Sequence, residues 1–275
     1  MRAAVLGSPV AHSLSPVLHR AAYVYLGLDW TYEARECGAA GLPGLFAGLG
    51  PEWAGLSLTM PLKAAVIPLL DDIDRVALRA GAVNTVLLHG GRRAGLNTDV
   101  PGMTAALAER GVVPSGTVTV LGAGATARSA LVSLATAGWQ AVTVYARRPE
   151  LADSLRLALD GDAVELTVRP WDQAPAGLAA PLVVSTVPAG VADPLADCDL
   201  PGSSTLFDVV YAPWPTRLAA RWLATGGAVV GGLDLLVHQA ALQVVLMTRT
   251  QAPVAELVEI MRDAGLAALA GSGRG

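Results

Sequence analysis

Lys63 is the residue whose type points most directly to chemistry. The chain of 275 residues contains 19 lysine and arginine residues, and Lys63, in the segment SLTMPLK, is the only lysine. An arginine guanidinium stays protonated under ordinary conditions, whereas a lysine ammonium can shift its pKa and pass on a proton. This usage favours a transferable proton at position 63. A composition biased toward arginine explains the same count without any chemistry.

Two serines precede a predicted helix in the segment AHSLSPVLH, residues 11–19. Ser15 followed by Pro16 predicts a helix start, with the serine as the cap and the proline in the first helical position. The N-terminus of a helix is an anion site, and two hydroxyls separated by one residue of extended chain point the same way. The hydroxyls of Ser13 and Ser15 can therefore both donate hydrogen bonds to one anionic group. His19 is expected to face the interior from this helix.

A glycine-rich turn, VTVLGAGATA, follows a β-branched strand and opens a helix that should begin near Ala125. Gly122 and Gly124 have the spacing of dinucleotide sites, in which the first glycine makes the tight turn and the second admits the pyrophosphate. Ala127 takes the third position, where helix and strand pack closely and a small side chain is needed. The turn predicts a dinucleotide-binding fold, and a purely structural turn is the alternative.

Two arginines stand where the next strand of such a fold ends. NAD-specific sites place an aspartate or glutamate there, about 20 residues after the glycines, for the ribose 2′-hydroxyl. This chain has VYARRPE, with Arg147 and Arg148 at that point. Two guanidiniums suit a 2′-phosphate and can stack on adenine. We therefore expect NADP rather than NAD, although two solvated loop arginines would give the same pattern.

The elements that must position these residues alternate between strand and helix, which is typical of βαβ units around parallel sheets. The first series runs from AAVLG through WTYEARE and WAGLSLT to a hairpin, AVNTVLLH with RRAGLN, that turns at Gly90–Gly91. A helix over about 101–110 and the breaker cluster GVVPSG lead to a second series. Two apolar helices, over about 233–249 and 254–270, precede GSGRG, which we expect to fray.

Composition excludes several classes of protein. Hydrophobic residues make up 53% of the chain, but Gly, Gln, His or Ser interrupts the apolar stretches, so we expect buried elements and no membrane segment. The formal net charge of −4 does not favour nucleic acid as a partner. Cys37 and Cys198 are too few for a disulfide framework or a zinc site, and the N-terminus does not resemble a signal peptide. We expect a cytoplasmic protein.

Taken together, the motifs resemble those of the shikimate dehydrogenases nearly end to end. They are GSPVAHSLSPVLH, GLSLTMPLK, AGAVNT, NTDVPG, LGAGATARS, STVP, DVVYAPWPT and GGLDLLVHQA, in that family's order and spacing. The resemblance implies an α/β protein with two domains and an active site in the cleft between them. Residues 1–101 and 235–275 would form a substrate domain completed by the C-terminal helices, and residues 102–234 a Rossmann-type NADP-binding domain.

The resemblance also implies an activity, the reversible reduction of 3-dehydroshikimate to shikimate with NADPH on the route to the aromatic amino acids. Lys63 and Asp99 become the catalytic pair, in which the ammonium delivers a proton to the carbonyl oxygen and the carboxylate orients the amine. A purely structural ion pair is the alternative. The implied substrate residues are Ser13 and Ser15 for the carboxylate, Thr59, Asn84 and Gln239 with Asp99 for the ring hydroxyls, and Tyr211.

The implied cofactor is NADP, and no metal is implied. Two positions depart from the common pattern of the family: Ser57 replaces an asparagine, in a supporting role, and Leu235 replaces a methionine beside the nicotinamide. The third small residue of the glycine loop also differs, at Thr126-Ala127. The implied cofactor-binding residues are Gly122, Ala123, Gly124, Ala125, Thr126, Ala127, Ala146, Arg147, Arg148, Thr186, Val187, Pro188, Val209, Gly232 and Leu235.

Two rival functions stay open. A quinate or quinate/shikimate dehydrogenase tends to use NAD and often alters one member of the serine pair, whereas both serines and both arginines are present here. A catalytically silent, dinucleotide-sensing regulator on the same fold would lack a member of the catalytic pair. The expected partner is a small-molecule substrate, with no nucleic acid and no membrane, and the chain is expected to be a monomer or a homodimer.

Overall fold

The computed structural model describes residues 1–272 of the chain, which fold as two units. The first unit combines Met1–Thr98 with the segment from Leu236 onward, and the second is Asp99–Leu235. Each unit contains one six-stranded sheet with helices between its strands, so the predicted α/β class is confirmed. Within residues 1–272, no helix combines the length and the hydropathy needed to cross a membrane.

The strands of the first sheet are β1 (Arg2–Gly7), β2 (Thr31–Glu36), β3 (Trp53–Leu58), β4 (Asp72–Ile73), β5 (Thr85–His89) and β6 (Arg92–Leu96). Their order is β2-β1-β3-β5-β6-β4. Strand β5 is antiparallel to both of its neighbours, and the other five strands run one way. The predicted hairpin is confirmed as β5–β6. It turns at Gly90 and Gly91, whose φ angles of 57° and 76° a two-residue hairpin turn requires.

The central strands of this sheet are buried along nearly their whole length. Strand β3 is buried at all six positions and β1 at five of six. Continuous burial of this kind is typical of strands covered on both faces, as in parallel sheets. Leu6, Leu56 and Leu58 pack with Phe46 and Leu62 in one hydrophobic core. This core holds the adjacent ends of β1 and β3.

The last two helices end the chain close to the predicted positions. Gly271 and Ser272 continue the final helix, so the expected fraying is wrong for these two residues. The rest of GSGRG, residues 273–275, lies outside the described residues.

In chain order the α-helices are α1 (Ser15–Tyr25), α2 (Leu42–Ala47), α3 (Leu62–Ala65), α4 (Arg75–Ala80), α5 (Asp99–Glu109), α6 (Ala125–Thr136), α7 (Ala152–Ala158), α8 (Arg217–Ala224), α9 (Gly232–Thr248) and α10 (Val254–Ser272).

The start of α1 differs from the prediction. Leu14 is the N-cap residue, with φ −77° and ψ −11°, so Ser15 is the first helical residue and not the cap. Ser13 Oγ instead accepts a hydrogen bond from the Ser15 backbone N–H at 3.3 Å. The expected extended approach of the two serines is also wrong, because Leu14 already has a helical conformation and side chains alternate only in extended chain.

His19 faces the interior of the first unit from α1, as predicted, and has no exposed surface. Its Nδ1 lies 2.9 Å from the Ser15 carbonyl oxygen, and its ring stacks on Tyr32 with a centroid distance of 3.9 Å. Burial lowers the pKa of His19 from 6.5 to about 4, because an imidazolium there would lose its hydration. The folded protein therefore keeps this ring neutral at pH values where the unfolded chain protonates it.

Lowering the pH from 7 to 5 should cost about 2 kcal/mol of unfolding free energy through His19 alone, since the unfolded state binds a proton that the folded state excludes. The loss begins near the unfolded pKa of 6.5 and is complete below the folded pKa of about 4. Urea denaturation at both pH values should show this difference in the wild type and lack it in His19→Phe. An equal pH dependence in the two proteins would contradict the assignment.

The strands of the second sheet are β7 (Thr117–Leu121), β8 (Ala141–Ala146), β9 (Glu165–Pro170), β10 (Leu182–Ser185), β11 (Thr205–Asp208) and β12 (Ala228–Val230). All are parallel, in the order β12-β11-β10-β7-β8-β9. The chain moves outward in one direction from β7 and in the other from β10. Between these strands lies the topological switch point, where open α/β sheets bind ligands beyond the carboxyl ends of their strands. The predicted Rossmann-type fold is confirmed.

Candidate functional site

One edge of the first sheet gathers most of the predicted substrate residues. Strands β1, β3 and β6 end at this edge, and β5, which runs the other way, begins there. The segments at this edge contain Ser13 after β1, Thr59 and Lys63 after β3, and Asn84 ahead of β5. The reversal of β5 therefore brings the start of that strand to the ends of its neighbours.

Thr59 and Lys63 follow strand β3. The Thr59 N–H donates to the Leu6 carbonyl oxygen at 2.9 Å, so this residue extends the pairing of β3 with β1. Lys63 is half-buried on the short helix α3, and its backbone carbonyl accepts from the Val83 N–H at 2.7 Å. A Cβ atom on Gly7 would overlap Cγ2 of Thr59, so only glycine permits this close approach.

Ser13 and Ser15 lie at the N-terminal end of α1, where the helix dipole favours negative charge. Ser15 is buried and Ser13 is half-buried. Because Ser13 Oγ accepts from the Ser15 N–H, its own proton can go to a further acceptor such as a carboxylate oxygen. The pair remains suited to an anion, by a geometry different from the expected one.

Asn84 is 2% exposed, and its side chain is held at both ends. Its Oδ1 accepts from the Thr98 N–H and from the Thr85 hydroxyl, both at 2.8 Å. Its Nδ2 donates to Thr98 Oγ1 at 2.9 Å and lies 3.4 Å from Gln239 Oε1. Gln239, on α9, donates through Nε2 to the Leu236 carbonyl oxygen at 2.9 Å. The structure thus brings together Asn84 and Gln239, as predicted.

Asp99 and Tyr211 belong to the second unit. Asp99 is the first residue of α5, which begins two residues earlier than predicted, and it is 5% exposed. Thr98 directly precedes Asp99 in the chain. The Thr98 N–H is fixed by its hydrogen bond to Asn84 Oδ1. Tyr211 is half-buried in the segment that follows β11.

The glycine turn after β7 has a backbone geometry that suits the close approach of a pyrophosphate. Gly122 has a φ of 106°, which L side chains rarely adopt, and a Cβ atom there would lie 2.7 Å from Thr186 Oγ1. Gly124 is the N-cap of α6, which begins at Ala125 as predicted, and no side chain within residues 1–272 caps this helix. A Cβ atom on Gly124 would meet no described atom within 4 Å. The space beside Gly124 therefore suits the approach of a phosphate to the N-terminus of α6.

Arg147 and Arg148 directly follow β8, and both are exposed, whereas the last residue of the strand, Ala146, is buried. Strand β8 pairs with β7, and the Gly122 N–H donates to the Tyr145 carbonyl oxygen at 2.9 Å. The two guanidiniums therefore follow the strand next to the glycine turn, where a ribose 2′-phosphate would need them.

The remaining predicted cofactor residues follow β10 and β11 or lie on α9. Thr186 donates to the Leu121 carbonyl oxygen through its N–H at 2.9 Å and its hydroxyl at 2.8 Å, which fixes this segment against the glycine turn. The Gly232 N–H donates to the Val210 carbonyl oxygen at 3.2 Å, and a Cβ atom on Gly232 would overlap the Val209 carbonyl. Residues that follow this pattern are Thr186, Val187, Pro188, Val209, Gly232 and the buried Leu235.

Several buried polar residues of the first unit escaped the sequence reasoning. Tyr32, Thr85 and Gln243 are hydrogen-bonded in one network with Ser57, whose supporting role was expected. For Thr85 and Gln243 the signal in the sequence is a polar residue next to or inside an apolar segment, and Tyr32, in WTYEARE, has no such signal. Gln243 also follows Gln239 by four residues, a spacing that puts both on the same face of a helix.

Asp208 was missed in the second unit. It is 2% exposed, and burial raises the pKa of its carboxyl. The Thr216 hydroxyl donates to it at 2.7 Å and the Val210 N–H at 3.2 Å. Thr216 in turn caps α8 by accepting from the Ala219 N–H. Asp208 therefore ties down both ends of the segment that carries Tyr211.

Known proteins match both the sequence and the structure of this chain. Residues 5–86 match the family model for the shikimate dehydrogenase substrate binding domain. A shikimate dehydrogenase (NADP(+)) from Moorella thermoacetica is 37% identical over 273 residues, which cover 95% of this chain and 92% of that protein.

Two solved structures extend the match to the whole fold. The crystal structure of Mycobacterium tuberculosis shikimate dehydrogenase is 40% identical, with a TM-score of 0.85 over 97% of this chain and 99% of that one. That of the Thermus thermophilus shikimate 5-dehydrogenase, in complex with NADP(H) and shikimate, is 37% identical, with a TM-score of 0.82 over 96% and 99%. Identity at this level, sustained over nearly the full length of sequence and structure, shows that the chain belongs to the shikimate dehydrogenase family.

Proposed function

We propose that this chain is an NADP-dependent shikimate dehydrogenase, an oxidoreductase that interconverts 3-dehydroshikimate and shikimate. The observation that carries the proposal is the edge of the first sheet. An ammonium and hydroxyls follow the ends of β1 and β3 there, and the Asn84 amide precedes β5. Its Nδ2 lies 3.4 Å from Oε1 of Gln239 on α9. These groups suit a small polyhydroxylated acid, and the glycine turn of the second unit suits the cofactor.

The proposed substrate contacts divide by chemistry. Ser13 and Ser15 bind the carboxylate through their hydroxyls, aided by the dipole of α1. Thr59, Asn84 and Gln239 bind the ring hydroxyls, because each offers a donor, an acceptor or both. Tyr211 is the proposed contact from the second unit. The burial of Asn84 and Gln239 supports this division, since buried polar groups discriminate strongly between substrates that satisfy them and substrates that do not.

Lys63 is the proposed proton donor. Reduction of a ketone requires a hydride on carbon and a proton on oxygen, and a lysine ammonium both polarises the carbonyl and supplies the proton. In the oxidation of shikimate the neutral amine accepts the hydroxyl proton instead. Asp99 is proposed to orient the Lys63 ammonium and to accept a hydrogen bond from a ring hydroxyl.

The cofactor residues of the second unit are proposed to hold NADP. The chemistry that the dinucleotide supplies when bound is hydride transfer to and from the substrate carbon. The Gly122–Ala127 turn would hold its pyrophosphate, and Arg147 and Arg148 its 2′-phosphate. Thr186, Val187, Pro188, Val209, Gly232 and Leu235 would border the nicotinamide half.

The proposal also covers the cellular location, the partners and the oligomeric state of the enzyme. Both cysteines are free thiols, which is typical of proteins in a reducing compartment, and we propose the cytoplasm. Its partners would be the substrate and NADP, without nucleic acid, and it would act as a monomer or a homodimer.

Steady-state rates with shikimate and quinate, each with NADP and with NAD, test the proposed function. We expect the highest kcat/KM for shikimate with NADP, by at least about tenfold over shikimate with NAD, because two charge-assisted contacts distinguish the cofactors. A preference for quinate with NAD would assign the chain to the quinate dehydrogenases. Absence of turnover with all four pairs, in a protein that binds NADP, would instead favour a dinucleotide-sensing regulator.

A further inference from the structure

A buried polar network runs through the first unit beneath the proposed substrate residues. Interior polar groups of this kind are favourable only when each finds a hydrogen-bond partner, and they then hold one arrangement. Strands β2, β3 and β5, the residues flanking β5 and β6, and helix α9 contribute to it. Its members, all at most 6% exposed, are Tyr32, Ser57, Asn84, Thr85, Thr98, Gln239 and Gln243.

Gln243 lies at the centre of this network. Its Oε1 accepts from Ser57 Oγ at 2.8 Å, and Ser57 Oγ accepts from the Tyr32 hydroxyl at 2.6 Å. Its Nε2 donates to Thr85 Oγ1 at 2.9 Å and to the Asn84 backbone carbonyl oxygen at 3.3 Å. Because a backbone carbonyl can only accept, the side-chain amide of Gln243 has one orientation.

Gln243, acting through Thr85, and the Thr98 backbone together fix the orientation of Asn84. Thr85 Oγ1 accepts from Gln243, so its own proton goes to Asn84 Oδ1 at 2.8 Å. The Thr98 N–H, which can only donate, reaches the same oxygen at 2.8 Å. Asn84 therefore turns its Nδ2 toward Thr98 Oγ1 and Gln239 Oε1. Gln239 is fixed from its other end, where Nε2 donates to a backbone carbonyl.

We propose that Gln243 is a positioning residue for substrate binding. Through Thr85 it reinforces the orientation that the Thr98 N–H gives to the Asn84 amide, and through Asn84 it supports the orientation that the Leu236 carbonyl gives to Gln239. This inference rests on the proposed function, in which Asn84 and Gln239 bind ring hydroxyls. An Asn84 amide that flips would place Nδ2 against the Thr98 N–H, and these two facing donors would disturb the groups that bind the substrate and weaken binding.

Gln243→Met tests the proposal, because methionine keeps the length and bulk of the side chain and removes its amide. We expect the KM for shikimate to rise about tenfold, the loss that one hydrogen bond causes. The kcat should change little, since the proton donor and the hydride acceptor are untouched, and the KM for NADP should stay at the wild-type value. An unchanged KM for shikimate would overturn the inference.

Two further variants separate positioning from stability. Val244→Ala removes fully buried apolar atoms from the adjacent position of α9, so it should lower the unfolding free energy and leave the KM for shikimate unchanged. In Gln243→Met the Thr85 hydroxyl no longer accepts a hydrogen bond from Gln243. The double variant Gln243→Met/Thr85→Val also removes that hydroxyl, so its unfolding free energy should be higher than that of Gln243→Met. Its KM should stay raised, because only the Thr98 N–H then donates to Asn84 Oδ1. A KM that returns to the wild-type value together with stability would reduce Gln243 to a structural residue.

Kinetics of the wild type distinguish a failure of the proposed function from a failure of the positioning role of Gln243. If the wild type fails to turn over shikimate, the proposed function fails. The network is then still tested by the side-chain amide NMR signals of Asn84 and Gln239, which should shift and exchange faster with solvent in Gln243→Met than in Val244→Ala. Equal signals in these two variants would overturn the positioning role whatever the substrate.

Discussion

Replacing Lys63 by alanine should lower the kcat for shikimate oxidation by about a thousandfold while the Kd for shikimate changes by only about threefold. A positioned general acid or base contributes about two to four orders of magnitude to such a step. Binding depends mainly on the carboxylate and hydroxyl contacts, which alanine leaves in place. Steady-state kinetics and equilibrium titration with shikimate measure the two effects separately.

Lys63→Arg is the matched control, because it keeps a positive charge and a long side chain but remains protonated under ordinary conditions. It should bind shikimate nearly as the wild type does and turn it over as slowly as Lys63→Ala. If arginine restored turnover, charge alone would explain the role of this residue and proton transfer from Lys63 would be wrong. A large rise in Kd in both variants would make Lys63 a binding residue.

The double variant Arg147→Ala/Arg148→Ala should raise the KM for NADP by about a hundredfold or more and leave the KM for NAD nearly unchanged. Hydrogen bonds to a charged group contribute about 1.5–3 kcal/mol each, and NAD lacks the 2′-phosphate that would receive them. Both arginines are exposed at the end of β8, so the folded structure should tolerate the change. Steady-state kinetics with each cofactor at saturating shikimate measures the shift.

Arg156→Ala provides the control for general loss of positive charge. Arg156 belongs to the same unit and forms an exposed ion pair with Asp153 at 3.0 Å, which contributes little to stability. Its removal should leave both cofactor constants unchanged. A similar loss for NADP and NAD in the double variant would mean that the two arginines act on a part of the dinucleotide that both cofactors share.

Most of the fold was predictable because local patterns and the tertiary structure agree. The β-branched strand, the glycine turn and the small residue at position 127 predict the start of α6 at Ala125, where it begins. The hairpin likewise follows from Gly90–Gly91, since few other residues tolerate its φ angles. The start of α1 was not predictable from Ser15-Pro16, because the helix extends one residue further back and Ser13 supplies the oxygen that a serine cap would have given.

The candidate site was predictable only where a residue type carries chemistry of its own. A single lysine, a serine pair and an arginine pair stand out in the sequence, whereas Gln243 looks like one more polar residue in an apolar helix. Its importance depends on Thr85 and Ser57, which are distant in sequence and meet it only after β3, β5 and α9 have packed. Asp208 is similar, since its value comes from the Thr216 hydroxyl and the backbone that it holds.

The hairpin β5–β6 returns the chain to the edge from which it left. Asn84 enters it and Thr98 follows it, whereas the turn at Gly90–Gly91 lies about 17 Å away, at five residues of strand. Residues added in pairs at the turn would lengthen both strands equally and preserve the pairing of Thr85 with Leu96. This turn is therefore a permissive position, where an affinity tag or a fluorophore can be inserted without disturbing the edge that is proposed to bind the substrate.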